Sequence, residues 1–91
     1  MGVRVTIPQG MRCFTDGDAV VKAADGTVGT VLAELGVRYP ALVTRICDAE
    51  GRPNPFVKIF VDEHEINALE GLDTSVQSDM AIHVLAGAAG G

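Results

Sequence analysis

The chain has 91 residues, room for one domain but not for a second core or a large closed substrate cavity. Hydrophobic residues make up 47% of it, and 7 Lys and Arg against 12 Asp and Glu leave a formal net charge of −5. Such a chain folds as a globule and has no field for collecting phosphates, which excludes nucleic acid and anionic membranes as partners and makes a basic protein surface the easier one to expect.

Val3, Val5 and Ile7 alternate with Arg4 and Thr6 before Pro8, predicting a half-buried strand over residues 3–7. The run Asp16-Gly17-Asp18 predicts a turn, from which Ala19-Val20-Val21-Lys22 returns as an antiparallel partner. Next, Val28, Val31, Leu32 and Leu35 recur at i, i+3, i+4 and i+7 behind Thr27, which makes Thr27 the expected N-cap of an amphipathic helix. Gly29 and Gly36 each weaken that helix by about 1 kcal/mol relative to Ala, and Pro40 limits it. Leu42, Val43 and Ile46 predict a further helical turn or two before a loop over residues 48–54.

Val57, Ile59 and Val61 alternate with Phe56, Lys58 and Phe60, predicting a central strand that is partly apolar on both faces, one of them free for a partner. A tight polar turn at Asp62-Glu63-His64 leads to a short strand around Glu65-Ile66-Asn67, followed by an irregular stretch over residues 69–73. The last strand covers residues 81–85, with Ile82 and Val84 facing one way. This order lacks the regular βα alternation of a doubly wound sheet. It predicts an α+β fold, a mixed sheet packed on one main helix, with residues 1–85 as the domain and residues 86–91 as a tail.

That tail, Ala86-Gly87-Ala88-Ala89-Gly90-Gly91, has no side chain larger than a methyl group. Its glycines carry the largest entropy cost on ordering, so the end is expected to stay mobile in the free protein. Extended, six residues reach roughly 20 Å, at ~3.3–3.6 Å each, enough to thread a narrow channel of another protein. Taken alone, a Gly/Ala end is most often a frayed terminus.

The order of elements gains meaning from the residues within it. Thr27-Val28-Gly29 opens the helix, Phe56-Val57-Lys58-Ile59-Phe60-Val61-Asp62 precedes the turn, Gly71-Leu72-Asp73-Thr74 follows, and Val84-Leu85 leads to Gly90-Gly91. Together they resemble, over the whole chain, the ubiquitin-like β-grasp sulfur carriers of the ThiS/MoaD type. The resemblance implies that an E1-like adenylating and sulfurtransferase enzyme uses ATP to activate the C-terminal carboxylate, after which a sulfur donor replaces AMP and leaves a thiocarboxylate on Gly91. It implies a protein cosubstrate rather than an enzyme, without bound cofactor or catalytic side chain, whose recognised tail is Gly87, Ala88, Ala89 and Gly90.

Length and the segment over residues 39–55 look closer to carriers serving cysteine biosynthesis or molybdopterin synthase than to the shorter thiazole carriers. Gly71-Leu72-Asp73-Thr74 and the Ala-rich tail lean toward the cysteine type. That resemblance implies a PLP-dependent cysteine synthase as sulfur acceptor and a JAB-type metalloprotease that later frees cysteine from the C-terminal glycine. Gly87 departs from the proline usual there. The alternatives are a molybdopterin synthase small subunit, a carrier for a secondary metabolite, and a ubiquitin-like modifier attached through Gly91.

Phe56, Phe60 and Leu85 form the candidate docking patch for the E1-like partner, although scattered surface apolar residues are normal. Cys13 and Cys47 have no CxxC spacing and read as small hydrophobes rather than redox groups. His64 and His83 lack metal-ligand spacing, no helix follows the glycines of residues 87–91 to make a dinucleotide loop, and no Lys follows Gly26 and Gly29 to make a phosphate loop, so neither a metal nor directly bound ATP is expected. Met1-Gly2-Val3-Arg4 lacks a signal peptide's regions, and the uncharged stretch 80–91 falls short of the ~20 apolar residues of a membrane span. A cytoplasmic protein is expected.

Overall fold

Val3 and Val5 are fully buried while Arg4 is exposed, which makes β1 (Val3–Thr6) a strand with one face on the core. The structure, a computed structural model, describes residues 2–86. The second strand, β2 (Val20–Ala23), runs antiparallel to β1 and places Val21 opposite Val5 and Lys22 opposite Arg4. Their connection is more regular than the sequence suggests, because Gln9–Thr15 winds as a 3-10 segment. Buried Thr15 closes it by donating from its hydroxyl to the Asp18 carbonyl at 2.8 Å, and Asp16 takes a φ of 56° to reverse the chain.

Helix α1 (Val28–Arg38) starts at Thr27, as its spacing predicts. The Thr27 hydroxyl accepts from the Thr30 amide at 3.1 Å, and the Thr30 hydroxyl accepts from the Thr27 amide at 2.8 Å, a reciprocal cap in which Thr replaces the usual Glu or Gln. Val28, Val31, Leu32 and Leu35 are its buried stripe. A Cβ at position 29 would meet the Leu72 carbonyl oxygen at 3.3 Å, so Gly29 gives up helix propensity where the chain at Leu72 approaches. After Tyr39 the further turns form a second helix, α2 (Pro40–Ile46), with Pro40 at the start, where its missing N–H leaves no bond unmade.

Five further strands complete the fold: β3 (Gly26–Thr27), β4 (Val57–Val61), β5 (His64–Glu65), β6 (Ser75–Val76) and β7 (Ala81–Ala86). The main sheet has the order β2-β1-β7-β4-β5, with β7 in the middle, parallel to β1 and antiparallel to β4. It is the expected mixed sheet. The pair β3 and β6 forms a separate two-stranded sheet that no periodicity announces, since two residues cannot show a repeat. The predicted short strand is truncated: β5 ends at Glu65 and Ile66–Ala68 turns as 3-10, carrying Ile66 into the core. Residues 69–73 likewise contain a 3-10 turn, Gly71–Asp73.

Ile59, Ile82 and Val84 from the sheet meet Leu35, Leu42 and Ile46 from the helices in one buried cluster. Each such side chain contributes about 1.5–3 kcal/mol relative to exposure. The helices therefore cover one face of the sheet.

Candidate functional site

Strict alternation leaves the other face of the sheet to solvent. Because Val57, Ile59 and Val61 are buried, Lys58 and Phe60 point away from the core, and buried Ile82 and Val84 turn His83 and Leu85 the same way. The register then decides which of them meet. Phe60 lies opposite His83, and Lys58 lies opposite Leu85. Phe60, Asp62, Glu63, His83 and Leu85 line one shallow depression.

Of the three candidate docking residues, the fold thus joins Phe60 and Leu85. Phe60 is partly buried, whereas Leu85 is 50% exposed. Phe56 precedes β4 and is 52% exposed; it stands beside Val57, outside that depression. Lys58 reaches Glu65 of β5 at 3.7 Å, an ion pair that borders Phe60, which itself pairs with Glu65 in register. The alternation already sets Lys58 beside Phe60 on the outward face; His83 is the residue of this face that sequence reasoning missed, although its place between Ile82 and Val84 carries the same signal.

Ala86, the last described residue, lies opposite Val57, which places the exit of the chain at the Leu85 end of this face. The last strand is one residue longer than its hydrophobic pattern predicts. Gly87, Ala88, Ala89, Gly90 and Gly91 lie outside the described residues.

The two cysteines differ in environment. Cys13 is exposed on the 3-10 segment, in a depression shared with Phe14, Arg45 and Ala86, where the Arg45 guanidinium sits 5.3 Å from the centre of the Phe14 ring. Cys47 is buried; burial pushes its thiol pKa up, and the Asp48 carboxylate adds in the same direction. It has the surroundings of a packing residue, not of a thiolate. Among the described residues no group of three or more His, Cys, Asp or Glu is placed to hold a metal ion, and no helix is long and apolar enough to cross a membrane.

Comparison with known proteins agrees with this fold. The ThiS family model matches residues 5–91. The sulfur carrier protein CysO of Mycobacterium tuberculosis is 31% identical over 93 aligned positions that span all of both chains. Among solved structures, the fold matches the BexX/CysO complex of Amycolatopsis orientalis with a TM-score of 0.88 and 26% identity, covering 98% of this chain and 99% of the other. It also matches the small archaeal modifier protein 1 (SAMP1) of Methanosarcina acetivorans, with a TM-score of 0.82 and 26% identity, covering 98% and 95%. The architecture is the ubiquitin-like β-grasp.

Proposed function

Because the chain belongs to the ThiS family, we propose that it carries sulfur as a thiocarboxylate on Gly91 and delivers it to a biosynthetic enzyme. The observation that carries this reading is a family match running from the first strand through Gly90-Gly91. A carboxylate is a poor electrophile. Its oxygen attacks the α-phosphate of ATP on an E1-like partner, pyrophosphate leaves, and the acyl-adenylate so formed holds AMP as a good leaving group. Sulfide then adds to the acyl carbon and AMP departs, so one oxygen of Gly91 is replaced by sulfur. The chain contributes the acyl group and a folded handle, while the partners contribute the catalytic groups.

The handle is the outer face of Phe60, His83 and Leu85, which flanks the exit of the tail. The tail itself, from Gly87 to Gly91, has no side chain larger than methyl to obstruct entry into a narrow active site. The likeness to CysO supports cysteine biosynthesis as the destination, with a PLP-dependent synthase accepting the sulfur and a JAB-type metalloprotease releasing the amino acid.

Mass spectrometry of the C-terminal peptide after incubation with ATP, sulfide and host lysate tests the reading. Exchange of oxygen for sulfur adds about 16 Da, the same nominal mass as methionine oxidation, so the shift must localise to Gly91 and respond to thiol alkylation. It must also require ATP. An unchanged Gly91, in a lysate that thiolates another carrier, overturns the reading. The likeness to SAMP1 favours a second one, conjugation through Gly91 to lysines of target proteins, which the same lysate reveals as a ladder of heavier species.

A further inference from the structure

Arg4 and Lys22 are direct cross-strand partners in β1 and β2, and both are exposed on the outer face of the sheet. Like charges placed so destabilise a sheet. Among the described residues neither has a carboxylate within salt-bridge distance. Two acids near this corner are engaged elsewhere: Asp62 accepts from the Ala81 amide and Asp25 from the Ser78 hydroxyl. A third cation, Arg38, donates to the Lys22 carbonyl and pairs with Glu34. A chain of net charge −5 thus sets two cations side by side, neither in a direct ion pair among the described residues, at one corner of its open sheet face.

That corner is continuous with the docking patch. In register, Val20, Thr6, His83, Phe60 and Glu65 form one row across all five strands, and the Arg4–Lys22 pair is the adjoining row on β1 and β2. Val20, 47% exposed, extends the apolar surface to the edge strand. Ala81 lies beside Arg4, and Ala86 is five positions further along β7, roughly 17 Å at ~3.4 Å per residue.

We propose that Arg4 and Lys22 form a second anchor for the tail-activating enzyme, receiving a carboxylate-bearing patch of its surface at the end of the sheet face remote from the tail exit. This reverses the basic partner that net charge alone suggests, because a partner meets the local face and not the total charge. The anchor supplies encounter rate and orientation rather than chemistry. It rests on the carrier reading above.

The test is the rate of ATP-dependent thiocarboxylate formation on Gly91 in desalted host lysate, measured against carrier concentration for the intact chain, for Lys22→Glu and for Arg4→Glu/Lys22→Glu. The double variant is expected to raise the half-saturating concentration about tenfold with an unchanged maximal rate. Added salt is expected to weaken the unaltered chain and not the double variant. Lys22→Glu places a carboxylate opposite Arg4, so it is expected to raise the melting temperature while weakening activation. These opposite signs separate docking from a purely structural role. Equal half-saturation in all three chains overturns the anchor; no modification of the unaltered chain overturns the carrier reading instead.

Discussion

Phe60 stands directly opposite His83 where β4 runs antiparallel to β7, and Leu85 follows on the same face, opposite Lys58. Two central strands, not a loop, therefore hold the patch beside the exit of the tail, and such a surface is already organised before a partner arrives. Leu85→Asp is expected to slow activation of Gly91 by about tenfold or more. Because Leu85 is half exposed, its thermal melt should move little. Phe56→Ala, outside the depression, should have the smaller effect in the same assay.

Deletion of Gly90 and Gly91 is expected to abolish thiocarboxylate formation and leave the melting temperature unchanged. The deletion leaves in place every described pair of the main sheet, up to Ala86 opposite Val57. Intact-mass spectrometry and a thermal melt on the same sample check both halves.

Thr27→Ala removes the hydroxyl that accepts from the Thr30 amide. The loss is expected to be about 1 kcal/mol, which lowers the melting temperature by roughly 4–8 °C in a domain of this size. Activation of Gly91 at 25 °C should be unaffected, since α1 lies on the side of the sheet opposite Phe60, His83 and Leu85.

The thiols should react in sequence. Cys13 is exposed and is expected to take up a thiol reagent in the native protein, whereas buried Cys47 reacts only on unfolding. The folded state also raises the Cys47 pKa, so it holds a proton that the unfolded chain releases above the ordinary thiol range, ~8.5. The resulting stability is fully present below that pH and is lost as pH rises toward the folded value. Denaturant midpoints at pH 7 and pH 10 should therefore differ more for the unaltered chain than for Cys47→Ala.

Strands β1, β4 and β7 and helix α1 were legible because each is long enough to display its own period, and Thr27 because capping is a local interaction. The 3-10 segment Gln9–Thr15 and the β3–β6 pair were not. Their stability comes from Thr15 bonding across its turn and from strands joined over a long stretch of chain, neither of which leaves a repeat in the sequence.

Which side chains face the core and which face solvent could be read residue by residue, since that choice depends on alternation along a single strand. The sequence also carried the pattern of a ThiS-type carrier through to Gly91. Which outward residues are neighbours is settled by the folded chain, where strand pairing brings Phe60 to His83 and Arg4 to Lys22. Pairing register depends on the connections between strands and on the fit of both helices against the buried face, and a one-residue slip would turn every side chain to the other side.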